Sequence, residues 1–136
     1  MHTRSYRLAL TTLAIAGLLG CRADISGLAT LEVSEAAALA SADGTVFCDA
    51  NNAKTRAKFG TIPGAVLLTS YDSYDISSEL PAGSKLVFYC HSEMCGAAAD
   101  AARRAIAGGR TNVAVMPAGI KGWTGAGEPV ERRASS

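Results

Sequence analysis

No charge of one sign dominates this sequence: 13 lysines and arginines stand against 12 aspartates and glutamates, a formal net charge of +1. That excludes a nucleic-acid binder built on a basic face and gives no electrostatic hint of a partner. Aromatic residues are scarce, at 6% with a single tryptophan. No apolar run is long enough to cross a bilayer, which takes about 20 residues. The longest, Leu8 to Leu19, covers 12 residues and is interrupted by Thr11 and Thr12. There is no internal repeat, and no low-complexity tract beyond a richness in alanine. What is present is a globular composition, 49% apolar and 18% charged over 136 residues, the length of one domain. It is not the composition of a disordered tail.

The N-terminus stands apart. Arg4 and Arg7 precede the apolar run, and no acidic residue occurs before it. That is the layout of an export signal. The run ends at Leu18-Leu19-Gly20-Cys21, which resembles the lipobox of bacterial lipoproteins. The resemblance implies cleavage before Cys21 and acylation of its thiol, giving a membrane anchor. The other reading is a plain secretory signal with Cys21 as an incidental thiol. The expected layout is a leader over 1–20, a tether over 21–27, a domain over 28–132 and a tail over 133–136. The expected location is the periplasmic side of a bacterial membrane, lipid-anchored through Cys21. Arg22, where an Asp would favour retention in the inner membrane, favours the outer one. Outside the cytosol thiols are prone to oxidise. Once Cys21 is acylated, Cys48, Cys90 and Cys95 remain, an odd number, so at least one is free or pairs elsewhere.

Short apolar runs alternate with helix-prone stretches. Strands are expected within Leu28–Val33, Thr45–Cys48, Ala65–Leu68, Leu86–Tyr89 and Val113–Met116. Helices are expected from a Ser34 cap through Ala40, over Ala53–Phe59, weakly up to Leu80, over Gly96–Ala107 and over Gly119–Gly125. Leu86-Val87-Phe88-Tyr89 is continuously apolar, as in a parallel strand buried on both faces. The pattern predicts an α/β fold with a parallel sheet.

Chemistry concentrates where that strand ends, at Tyr89-Cys90-His91-Ser92-Glu93-Met94-Cys95-Gly96. The carboxyl ends of strands are where open α/β sheets bind ligands. Loop amides and a helix N-terminus there favour negative charge. Cys90 is therefore expected to have a depressed pKa and to be the nucleophile. The amides of residues 91 to 96 are expected to form the anion cradle. Ser92, Glu93, Met94 and Gly96 are candidate substrate contacts. His91 is a donor to a bound anion, a titration partner of Cys90, or simply a solvent-facing histidine. Cys95 is a resolving thiol that attacks a Cys90 persulfide, half of a structural disulfide, or a small helix-start residue. Cys48 is expected to pack as a small hydrophobe. Cys48, Cys90, Cys95 and His91 match no standard zinc-ligand spacing, so no metal is expected.

Three further segments carry a family resemblance. They are Phe47-Cys48-Asp49, Gly60-Thr61-Ile62-Pro63-Gly64-Ala65, and Ala118-Gly119-Ile120-Lys121-Gly122-Trp123 followed by Ala126-Gly127-Glu128-Pro129-Val130. With Tyr89-Cys90 between them, the chain resembles single-domain rhodaneses from about Leu28 to Glu131. The resemblance implies a rhodanese-like α/β fold, a central parallel sheet of about five strands with helices on both faces. It implies sulfurtransfer through a Cys90 persulfide, from a small-molecule or protein sulfur donor to a thiol acceptor. Asp49 is implied as support for the active-site loop. No cofactor and no nucleic acid is implied, and a monomer is expected.

Thr61 replaces the family's usual histidine, and Asn51 replaces its arginine after the aspartate strand. Glu93 stands where an anionic donor would approach, which makes thiosulfate a doubtful donor. Gly96 stands where phosphatases of this fold need arginine. Two other functions remain open: a periplasmic thiol–disulfide oxidoreductase using Cys90 and Cys95, and a catalytically idle binding module.

Overall fold

The computed structural model describes residues 22–132. The leader, the proposed lipid site Cys21 and the tail lie outside the described residues. Ten elements follow in chain order: β1 (Ala29–Thr30), α1 (Val33–Ala40), β2 (Thr45–Asp49), α2 (Ala53–Phe59), β3 (Val66–Leu67), α3 (Ile76–Glu79), β4 (Lys85–Tyr89), α4 (Ala97–Ala107), β5 (Val113–Val115) and α5 (Gly119–Gly125). The strands form one parallel sheet in the order β1-β5-β4-β2-β3. The most apolar strand, β4, takes the centre, with Leu86 to Tyr89 buried. A strand with neighbours and helices on all sides has no use for polar side chains.

Side chains alternate across the sheet, as the strand repeat of two demands. Cys48, Leu86, Phe88 and Val115 face one layer, where α4 lays down Ala98, Ala101, Ala102 and Ala105 beside Tyr74 and Leu80. Phe47, Val87, Tyr89 and Met116 face the other, against Ala36 of α1, Phe59 of α2, and Ile120 and Trp123 of α5. Helices thus cover both faces, as expected.

The start of α1 differs from expectation. Glu32, not Ser34, is the cap, and its backbone N–H donates to Glu35 Oε1 at 3.1 Å. The early turn cuts the first strand to two residues. At α2, Asn52 Oδ1 accepts from the Thr55 amide at 2.9 Å, satisfying an otherwise orphan donor of the first turn.

The segment read as a tether is fastened to the domain. The Ala23 amide donates to the Glu93 carbonyl at 2.9 Å. Arg103 Nη2 donates to the carbonyls of Asp24 and Ser26 at 3.0 and 3.2 Å. Arg22 pairs with Glu93 at 3.4 Å.

Candidate active site

The strand β4 delivers Cys90 to the carboxyl edge of the sheet, and α4 begins seven residues later at Ala97. Between them, the Cys95 amide donates to the Ser92 carbonyl at 3.0 Å and closes a turn over 92–95. The loop is pinned from beside it. The amides of Ile120 and Lys121 in α5 donate to the carbonyls of Cys90 (2.8 Å) and His91 (3.0 Å). Gly119, at φ +63°, makes this possible: a Cβ there would lie 2.6 Å from the His91 carbonyl group. Only glycine takes that backbone angle without strain and permits that approach.

Cys90 is buried, 2% exposed, and Cys95 is half-buried. The Cys90 thiol donates to the Cys95 carbonyl at 3.1 Å. The Cys95 side chain beside it is the first cause that raises its pKa far above the usual thiol value, with burial adding to the effect. The amides of Ala98 and His91 pull the other way without reversing it. Cys95 is lowered to about 5, first by the Cys90 side chain beside it, then by the amides of His91 and Ala97. The expectation of a depressed pKa at Cys90 is therefore corrected. Of the two sulfurs, the buried one holds its proton more tightly and the outer one ionises more readily.

Of the expected cradle, the His91 amide acts on both sulfurs, and the amides of Ala98 on Cys90 and Ala97 on Cys95 join it from α4. The Cys95 amide is spent on the turn, and its carbonyl faces Cys90 in place of an N–H. The positive end of α4 contributes through its first two amides rather than through the loop as a whole.

The candidate contacts divide. His91 stays at the site, its ring 4.7 Å from that of Phe59 in α2. Its Nε2 is buried without a hydrogen-bond partner among the described residues, as is Asn51 Nδ2. Gly96 caps α4 and takes the Asp100 amide on its carbonyl at 3.0 Å. Ser92 contributes its carbonyl to the turn. Met94 is 72% exposed on the outside of that turn. Glu93 is turned toward Arg22 rather than over Cys90. A cleft of about 240 Å³ beside Glu93, walled by Arg22, Ile25, Leu31 and Ala118, includes neither Cys90 nor Cys95 in its lining.

Asp49 does not reach the loop. One carboxylate oxygen accepts from the Asn51 amide at 2.7 Å and from Arg56 Nε at 3.2 Å. The other accepts from the Tyr89 hydroxyl at 2.7 Å, and that hydroxyl accepts from the Ile62 amide at 3.0 Å. Asp49 is thus a positioning residue, one step behind the residue that precedes Cys90, and not a catalytic one. Arg56 was not singled out by the sequence reading. Its Nη2 also donates to the carbonyls of Asp49 and Leu68, each at 2.9 Å, so α2 supplies the guanidinium that Asn51 lacks. The signal was an arginine seven residues after a buried aspartate, on a short capped helix.

Cys48 is fully buried beside this site, and burial raises its thiol pKa to about 12. It packs in the same apolar layer as Cys90, with Cys95 at the edge of that layer. Among the described residues no three His, Cys, Asp or Glu side chains are grouped to hold a metal ion.

The chain matches the rhodanese-like domain over residues 32–126. A Rhodopseudomonas palustris CGA009 protein, described as a possible tyrosine phosphatase, is similar with a TM-score of 0.61 and 28% identity, over 78% of this chain and 86% of that one. A Bacillus halodurans protein superposes with a TM-score of 0.66 at 18% identity, over 76% of each chain. The thiosulfate sulfurtransferase of Pseudomonas aeruginosa gives a TM-score of 0.63 at 23% identity, over 76% of this chain but 19% of that one. No curated protein matches. With its parallel five-stranded sheet and a match over residues 32–126, the chain belongs to the rhodanese-like domain family.

Proposed function

We propose that the protein is a sulfurtransferase that carries sulfane sulfur as a Cys90 persulfide and hands it to a thiol acceptor. The observation that carries this reading is the placement of the Cys90 sulfur, buried at the strand end with the amides of Ala98 and His91 acting on it. Those donors favour an anionic sulfur, and a persulfide ionises more readily than a thiol. Burial protects the stored sulfur from water and stray oxidants. The donor class we favour is a thiol persulfide rather than thiosulfate, because an oxyanion approaching Cys90 meets the Cys95 carbonyl oxygen.

The test is intact-mass analysis of the full chain before and after exposure to an alkyl persulfide or thiosulfate. A gain of one sulfur from the persulfide, absent in Cys90→Ser after the protein is isolated from donor, supports the reading. No stable gain from either donor sinks it.

The approach of the Cys90 thiol to Cys95, whose carbonyl it meets at 3.1 Å with both cysteines free, favours a second reading, a thiol–disulfide oxidoreductase that cycles a Cys90–Cys95 disulfide. Reversible loss of two hydrogens in the same mass spectra, with no sulfur gained, would establish it. Phosphatase chemistry is disfavoured by Gly96 at the arginine position. On the strength of the leader, we place the reaction on the periplasmic side, with Cys21 acylated. Cys21→Ser should then move the protein from the membrane fraction to the soluble one; an unchanged distribution would refute the anchor.

A further inference from the structure

We propose that sulfur enters this protein at Cys95 and is passed inward to Cys90, so that the half-buried cysteine is the port and the buried one the store. This rests on the sulfur-carrier reading above and adds the order of events.

Access decides first. Cys90 is 2% exposed and its thiol is turned inward onto the Cys95 carbonyl. Cys95, the last residue of the turn, is half-buried, with its side chain beside that of Cys90. Of the two, Cys95 is the sulfur open to a donor from solvent. Ionisation points the same way. The thiolate is the nucleophile in sulfur exchange. It forms at Cys95, lowered to about 5, while Cys90 keeps its proton. Neither fact requires the loop to open.

The chemistry balances without an oxidant. The Cys95 thiolate attacks the outer sulfur of a thiol persulfide, R–S–SH. The donor S–S bond breaks, R–S⁻ departs and Cys95 carries –S–SH. Cys90 Sγ then attacks that outer sulfur. The new Cys90–S bond forms as the bond to Cys95 Sγ breaks, and the Cys90 proton passes to the departing Cys95 sulfur. Cys95 releases this proton to solvent and is a thiolate again. The net change is R–S–SH plus Cys90–SH giving R–SH plus Cys90–S–SH. The same contact leaves one side reaction open: attack on the inner sulfur yields a Cys90–Cys95 disulfide and expels hydrosulfide.

The experiment is rapid-quench persulfide labelling of the full chain. An alkyl persulfide is the donor, an alkylating trap stops the reaction, and peptide mapping assigns the sulfur to Cys48, Cys90 or Cys95. In the wild type, label should appear on Cys95 first and on Cys90 later. In Cys90→Ser it should still reach Cys95, more slowly because the first cause of the lowered Cys95 pKa is replaced, and should leave that half-buried sulfur for released R–SH before the protein is isolated. In Cys95→Ser, loading of Cys90 at pH 7 should fall at least about ten-fold, because a thiol only 2% exposed is left to meet the donor alone. The opposite sign is expected if Cys90 is the port. Cys95 is what raises its pKa, so removing Cys95 would then speed loading. Loading in the wild type should also persist as pH falls to about 5 and decline below it, as the Cys95 thiolate is protonated.

Unchanged or faster loading of Cys90 in Cys95→Ser overturns the proposal. A circular-dichroism spectrum and a labelling run on Cys95→Ala guard against a loop that has simply collapsed: slow loading in both folded variants supports the port. If no cysteine of the wild type takes up sulfur, the carrier reading and the relay fall together. If Cys90 loads directly, only the relay falls.

Discussion

The two faces of the sheet are built from different materials. Under α3 and α4 the layer is mostly alanine, cysteine and aliphatic side chains around the Tyr74 and Phe88 rings, and both Cys48 and Cys90 belong to it. Under α1, α2 and α5 the layer is aromatic, with Phe47 and Trp123 rings 5.7 Å apart, and the Asp49 carboxylate sits at its rim. Outside the loop, the Arg110 guanidinium acts on Cys48, against the stronger effect of burial. The buried carboxylate lies on the other side, fully occupied by Arg56, Tyr89 and the Asn51 amide. One face stores reactive atoms and the other fixes the strand end that presents them.

The sharpest way to break this contrast is Asp49→Ala. It leaves a guanidinium and a phenol without their partner in the interior, and the loss of stability should be about 3–5 kcal/mol by urea unfolding. A cost below about 1 kcal/mol would mean that the polar rim is not what fixes β4. Next comes Gly119→Ala. A non-glycine residue at that φ costs about 1–3 kcal/mol, and the contact with the His91 carbonyl adds to it. Sulfur loading should fall with it, because the strain is relieved by moving the loop. Retained loading at wild-type rate would show that the α5 clamp does not set the loop. On the thiol face, Ala101→Leu should cost about 1–3 kcal/mol, since α4 packs through alanines that leave no room. A neutral result would mean that the layer is looser than its composition states. The smallest change is Arg22→Ala. An exposed ion pair of this kind is worth under about 1 kcal/mol, so thermal unfolding should barely move. Alkylation kinetics at Cys95 are the more sensitive readout, and no change there would confine Arg22 to the surface.

The sequence made some of this architecture plain. A continuous apolar run marked β4, and the alanine stretch ending in Gly108-Gly109 marked α4; both depend on local pattern alone. The span of α5 came out as expected for the same reason. Other features depend on contacts between distant residues, which no local pattern encodes. Arg56 replaces the missing arginine by reaching back from a different element. The Glu32 cap overrides a serine better suited by propensity. The raised Cys90 pKa depends on the Cys95 side chain lying beside a buried sulfur, and the sequence does not state that proximity. The loop's residues were identifiable, but not the division that buries Cys90, turns Glu93 aside and puts Met94 in solvent.

The clasp at Arg22–Ser26 has a mechanical meaning. Tension applied at residue 22 travels first into Glu93 of the turn and Arg103 of α4, and only afterwards into β1 at Ala29. Those first contacts are one backbone hydrogen bond, two exposed ion pairs and two guanidinium bonds to carbonyls, so they yield under loads that leave the sheet intact. Anything that pulls on this end, whether an anchor, a fused tag or a bead in an optical trap, would therefore be felt at the sulfur site before it is felt by the fold.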